Sequence, residues 1–223
     1  MAALLPEVKI VRHVRAKSLR LRVYPHEIRL TAPAFCTQKQ IQHFLKQSED
    51  WLQETWQKVR QTDDVGVPSH IQLFDHSVSI SIKQVEQKKL FIFDAAQHML
   101  YLQQEQAAQA LKAFIVDYAK RVLPPVLKQV SQNTGLVFQS SQIRHAKSRW
   151  GSCSTQQKIM LNAALVLLPA PIIRYVCVHE LVHTVHFDHS PAFWRTVRHF
   201  DADYEQHRDY LKTIQWPLWW LES

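Results

Sequence analysis

Tyr175-Val176-Cys177-Val178-His179-Glu180-Leu181-Val182-His183-Thr184-Val185-His186-Phe187-Asp188-His189-Ser190 is the stretch that decides how this chain is read. It contains H-E-x-x-H, with a further histidine six residues past the second one. On a helix, positions i and i+4 are separated by four steps of about 100° and share a face. His179 and His183 can therefore face one ion, with Glu180 beside them to act on a water as general base. A catalytic zinc takes three protein ligands and keeps one position open. His189 is the expected third ligand. His186 competes for that place, being i+3 from His183 on a continued helix. Asp188-His189-Ser190-Pro191 reads as a helix break and restart, with Ser190 as N-cap and Pro191 at N1, and a break lets His189 swing back.

The surrounding residues support a metal. Ile172, Ile173, Val176, Cys177, Leu181 and Val182 make the segment largely apolar, so it reads as a buried helix starting near Pro171. A glutamate and two histidines buried there need partners or an ion. The ligand spacing is also that of the metzincins, which place glycine where this chain has His186. The turn must be made differently here, and the metzincin fold is not carried over.

The 223 residues are 46% hydrophobic and 21% charged, a globular composition that suits one domain or two small ones. Cys36, Cys153 and Cys177 have no paired spacing, which fits a reducing compartment. No run has the length of a membrane span, and the first residues do not read as a signal peptide, so a cytoplasmic protein is expected. The net charge of +8 suggests an acidic partner without demanding nucleic acid.

Working outward, residues 8–31 read as short strands, with a turn at Pro25-His26. Arg12, Arg15, Lys17, Arg20, Arg22 and Arg29 line their other face, with no aromatic platform interleaved. Residues 38–60 read as one helix capped by Thr37, with Ile41, Phe44, Leu45, Trp51, Leu52, Trp56 and Val59 as its apolar stripe, and 62–69 as a loop. Residues 70–93 return to strands. With the first hairpin they would form one antiparallel sheet, a β-rich N-terminal subdomain over 1–93. A long entry helix from Ala95, broken or kinked at Pro124-Pro125, ends at Asn133-Thr134-Gly135. Leu136–Phe138 and Gln142–Arg144 are strands. Residues 147–154 and 158–162 form a hairpin before the metal helix, with Gly151 permitting close backbone approach and Arg149 placed to orient a substrate. Helices follow over 191–200 and 203–214. His199, Asp201, Asp203 or Glu205 could orient a ligand imidazole. The Trp216–Leu221 tail either docks on the body or forms an oligomer contact.

Ser148-Arg149-Trp150-Gly151-Ser152-Cys153, then Leu161-Asn162, Tyr175-Val176, His179-Glu180-Leu181, His183, His189-Ser190 and Phe193-Trp194 together resemble the YgjP-like family of small zinc metallopeptidase-like proteins. These are minimal gluzincin-like domains, related to the SprT-like peptidases. The resemblance is strong over 140–212 and weak over the N-terminal strands. It implies an α+β fold whose C-terminal part, 94–223, is a zincin-like catalytic domain with a small sheet on the H-E-x-x-H helix. It implies zinc ligands His179, His183 and His189, with Glu180 as base. Asp188 stands where the family usually has asparagine.

The expected activity is zinc-dependent hydrolysis of a peptide or protein substrate. His186, Arg149 or Tyr204 is a candidate to stabilise the oxyanion. Two other classes remain open. One is a zinc-dependent nucleotide or phosphoester hydrolase, against which stands the lack of an acidic cluster for magnesium or a phosphate-cradling glycine loop. The other is a non-catalytic adaptor with a structural metal and a nucleic-acid-binding basic face.

Overall fold

In the computed structural model, which describes residues 5–14, 16–23, 27–61, 66–214 and 216–221, the chain divides into two compact units, Met1–Gly66 and Val67–Ser223. Arg15, the Pro25-His26 turn and residues 62–65 of the expected loop lie outside the described residues.

In the first unit, β1 (Val8–His13), β2 (Arg20–Val23) and β3 (Ile28–Pro33) form a sheet in the order β1-β3-β2. Strand β3 alternates: Ile28, Leu30 and Ala32 are buried, while Arg29 and Thr31 turn the other way. The buried face packs against α1 (Gln38–Gln47) and α2 (Glu49–Gln61) through Ile41, Leu52 and Trp56. Two expectations are corrected here. The sheet is mixed, because β1 runs parallel to β3 and only β2 is antiparallel. The helix expected over 38–60 is two helices, since the Ser48 carbonyl starts a second one by accepting from Leu52 N–H at 2.8 Å. Ser48 suits an N-cap, and Glu49 and Asp50 suit the positive end of a helix. Thr37 does cap α1, in a reciprocal box with Gln40. Trp51 is exposed rather than part of the apolar stripe, and the Val59 side chain is outside the described set.

The second unit opens with β4 (His70–Ile71), β5 (Ile80–Val85), β6 (Phe91–Asp94) and β7 (Met99–Gln103), in the order β4-β5-β7-β6. These strands do not join the N-terminal sheet. A boundary at 93/94 would cut β6, which pairs with β7 from Phe91↔Leu102 to Asp94↔Met99. Residues 99–103, expected in the long helix, are a strand because Leu100 and Leu102 alternate into the core.

The helix itself, α3 (Ala107–Thr134), runs on through Pro124 and Pro125. Each proline removes a backbone donor, which ordinarily breaks a helix. Here Leu123, Leu127 and Val130 are buried on both sides of the pair, and packing overrides the local penalty. Gly135 ends it at φ +71°, a left-handed cap that glycine adopts without steric cost.

A second sheet follows: β8 (Ser140–Arg144), β9 (Gly151–Cys153) and β10 (Lys158–Asn162), in the order β8-β10-β9. β9 and β10 make the expected antiparallel hairpin, whereas Leu136–Phe138 is not a strand. Then come α4 (Ala170–Val182), α5 (Pro191–Phe200), α6 (Tyr204–Thr213) and α7 (Leu218–Leu221). The tail docks on its own unit: Trp219 and Trp220 are buried, Trp220 Nε1 donates to the Ala146 carbonyl, and Trp216 stacks on Trp150. The fold is α+β with mixed sheets. No helix among the described residues is long and apolar enough to cross a membrane.

Candidate metal centre

Helix α4 is buried nearly all round, with Ile172, Ile173, Tyr175, Val176, Cys177, Val178, Leu181 and Val182 all in the core. Such a helix holds its polar residues in fixed places. His179 and Glu180 lie in its last turn, and His183 is its C-cap. The chain then turns tightly. Thr184 N–H bonds Leu181 O at 2.9 Å, Val185 N–H bonds Val182 O at 3.1 Å, and His186 N–H bonds Val182 O at 2.9 Å. No residue of this turn has positive φ, so glycine is not needed at position 186.

The turn leads to the expected restart. Asp188 Oδ1 accepts from Ser190 N–H, Ser190 Oγ accepts from Phe193 N–H, and Pro191 opens α5. This corner carries His189 back over α4. Ligand nitrogens of His179, His183 and His189 all lie within 4.8 Å of one another. The Nε2 atoms of His179 and His189 are 3.2 Å apart. Two nitrogens of a tetrahedral zinc, each at about 2.0–2.1 Å, stand roughly 3.3 Å apart. His183 Nδ1 donates to the His186 carbonyl at 2.9 Å, which fixes the tautomer and leaves Nε2 as the lone-pair nitrogen. Burial, and then the other two rings, pushes His179 down to about 3, so it is neutral as a ligand must be. The donor set fits zinc.

Phe193, fully buried, is a floor common to the three rings, with centroids 4.9, 4.5 and 4.8 Å from His179, His183 and His189. Trp194 stacks on His189 from the other side of the same turn. Glu180 is also buried, and burial, only partly countered by Arg149, raises its carboxyl to about 8. Its Oε2 has no hydrogen-bond partner among the described residues. Strand β9 lies directly over it: a Cβ on Gly151 would sit 2.5 Å from Glu180 Oε1. The close approach that needs a glycine is thus made by Glu180. Beside this contact is a recess of about 210 Å³ with Trp150, Tyr175, Val176 and Leu211 in its walls.

Gly151→Ala is expected to keep zinc bound but lower turnover by about 10²-fold, the scale of a displaced catalytic group. Parallel metal analysis and peptidase assay check this; unaltered turnover would mean that Glu180 has room to yield.

The remaining expected residues fall elsewhere. The His186 side chain does not join the cluster: its Nε2 lies 3.1 Å from Thr196 Oγ1, and only its carbonyl serves the site. Arg149 is exposed just before β9 and acts on Glu180 through its charge. Tyr204 gives its hydroxyl hydrogen to Glu205. None of His199, Asp201, Asp203 and Glu205 is hydrogen-bonded to a clustered imidazole: Asp201 accepts from His207 Nδ1 at 2.9 Å, Glu205 pairs with Arg198, Asp203 precedes α6, and His199 packs on Phe200. Cys153 is held as a thiol, raised to about 11 by burial and then by Glu180.

Sequence reasoning missed Asn162. It is fully buried, its Nδ2 donates to the carbonyls of Ala146 and Arg149, and its Oδ1 accepts from Ala164 N–H. It pins the loop that delivers β9 to Glu180. An asparagine within the apolar run Ile159–Leu165 was the available signal.

The family profile described as "YgjP-like, metallopeptidase domain" matches residues 17–214. No curated protein matches the chain. Among solved structures, the metallopeptidase zymogen of Pyrococcus abyssi abylysin is 24% identical, with 41% of this chain and 93% of that one covered at a TM-score of 0.38.

Proposed function

We infer the chemistry from one premise: this chain belongs to the YgjP-like family of metallopeptidases. On that footing it is a zinc hydrolase that cleaves peptide bonds, with His179, His183 and His189 as the metal ligands and Glu180 as general base. The observation that carries the reading is the buried Glu180 carboxylate, with no hydrogen bond to Oε2, set next to the histidine cluster in the last turn of α4. A structural metal site has no use for such a group, whereas a hydrolase needs it.

Bound zinc supplies Lewis acidity toward the scissile carbonyl and toward water. The chain's own residues do the rest. Glu180 takes a proton from the attacking water and delivers it to the leaving amine. The His186 carbonyl holds His183 in the ligating tautomer. Phe193 closes the underside of the site against solvent. β9 is an outer strand of its sheet, paired with β10 alone, so it has an edge for an extended peptide. The recess by Trp150, Val176 and Leu211 takes one apolar side chain next to the scissile bond.

The test is incubation of the zinc-loaded chain with an unfolded protein such as reduced casein. New amino termini should appear, stop on chelation and return with added zinc. If the loaded chain leaves casein intact yet releases pyrophosphate from nucleotides, the peptidase reading is wrong.

A further inference from the structure

We propose that the open face of the N-terminal sheet is a docking surface for the phosphate backbone of nucleic acid. This concerns the first unit alone and does not depend on the peptidase reading. The charges of this segment are visible in sequence, but only the strand order brings them together. Strand β3 lies in the middle, and its register sets Lys9 opposite Arg29 on one side and Arg22 opposite Arg29 on the other. In the next row on the same face, Val11 and Arg20 flank Thr31. Alternate strand residues share a face, so Lys9, Arg29, Arg22 and Arg20 all lie on the side away from Ile28, Leu30 and Ala32. The helices pack against that other side.

Like charges directly opposite one another across strands are unfavourable. Here Arg29 has a cation opposite it on both sides. One acid helps: Glu27 pairs with Arg29 and lies 3.7 Å from Lys9. Arg20 and Arg22 are exposed and have no acidic partner among the described residues. Lys17, also exposed, sits in the connection between β1 and β2. A row of cations that repel one another inside the fold is complementary to an anionic chain outside it.

The chemistry favours nucleic acid over other polyanions. Three of the four cations on this face are arginines, whose planar forks match phosphate oxygens in pairs. They stand on a pleated surface with strands about 4.8 Å apart, a flat track for a linear backbone. Val11 is the one exposed apolar strand residue on this face among those described, so the face lacks what an amphipathic surface needs to enter a bilayer.

The experiment measures fluorescence anisotropy of a short labelled single-stranded DNA with the full chain, at low salt and across a salt titration. Binding should weaken with a log–log slope of about −2 to −3, as expected for three or four phosphates neutralised. Arg20→Glu with Arg22→Glu should lower affinity more than ~10-fold. Arg20→Gln with Arg22→Gln should reduce the slope by about two. Both variants are to keep the wild-type melting temperature and metal content, and the milder pair stands in if the reversal unfolds the unit. The proposal is overturned by absence of binding at low salt, by affinity indifferent to Arg20→Gln with Arg22→Gln, or by tighter binding to phosphatidylserine vesicles than to DNA.

Discussion

Glu180→Gln is expected to retain zinc and to lose about 10²–10⁴-fold in peptide turnover, the usual range for a general base. The substitution keeps size and removes only the capacity to hold a proton. Glu180 is in the core of α4 beneath Gly151, so an isosteric amide fits where a larger group would not. Because Glu180 is not among the clustered ligands, metal content should not change. The same variant carries a second readout in the metal-free protein. Burial raises the carboxyl from its ordinary value near 4.5 to about 8. A carboxyl whose folded value is raised is fully compatible with the fold below its unfolded value, and its contribution is lost as pH climbs through the folded one. Metal-free Glu180→Gln should therefore match wild type at pH 4 and exceed it in melting temperature above pH 8. Turnover equal to wild type, with zinc present, would remove Glu180 from the reaction.

His189→Ala and His183→Ala are each expected to cut zinc affinity by several orders of magnitude, whereas His186→Ala keeps near-stoichiometric metal. Removing one of three ligands leaves two imidazoles, too few to hold the ion at its preferred geometry. His186 sits apart, turned to Thr196, and what it gives the site is a backbone carbonyl that alanine also supplies. Elemental analysis of the purified variants separates the outcomes. Zinc lost without His186 and kept without His189 would reverse the assignment of the third ligand.

Much of the metal centre was legible because its parts are local. Two histidines on one helical face, Ser190 as cap and Pro191 as first helical residue are all set by spacing and by capping chemistry within a few residues. The long-range parts were not legible. Gly151 and Glu180 are far apart in sequence, and nothing in either one announces that the strand must lie on the carboxylate. The carbonyl of His186 matters more than its ring, and backbone roles leave no mark on residue identity. The sheets were misjoined for a similar reason. Alternation identifies strands but not their neighbours, and parallel pairs such as β1 with β3 or β5 with β7 need connections whose path is invisible locally. Residues 99–103 and Pro124-Pro125 show the third limit: Leu100, Leu102, Leu123 and Leu127 are all fully buried, and tertiary packing outweighed helix propensity and proline alike.

Helix α4 runs out of hydrogen-bonded turns at His183, so the negative end of its backbone dipole is directed at the imidazole cluster. That field attracts any cation, and a doubly charged ion about twice as strongly as a proton. Burial acts the other way on protonation, holding His179 far below its usual range. The two effects together make the site selective between its competing cations: the surroundings that drive a proton off the imidazole leave in place the attraction for a dication, and the cluster stays open to metal under mildly acidic conditions where an exposed histidine triplet would already be blocked.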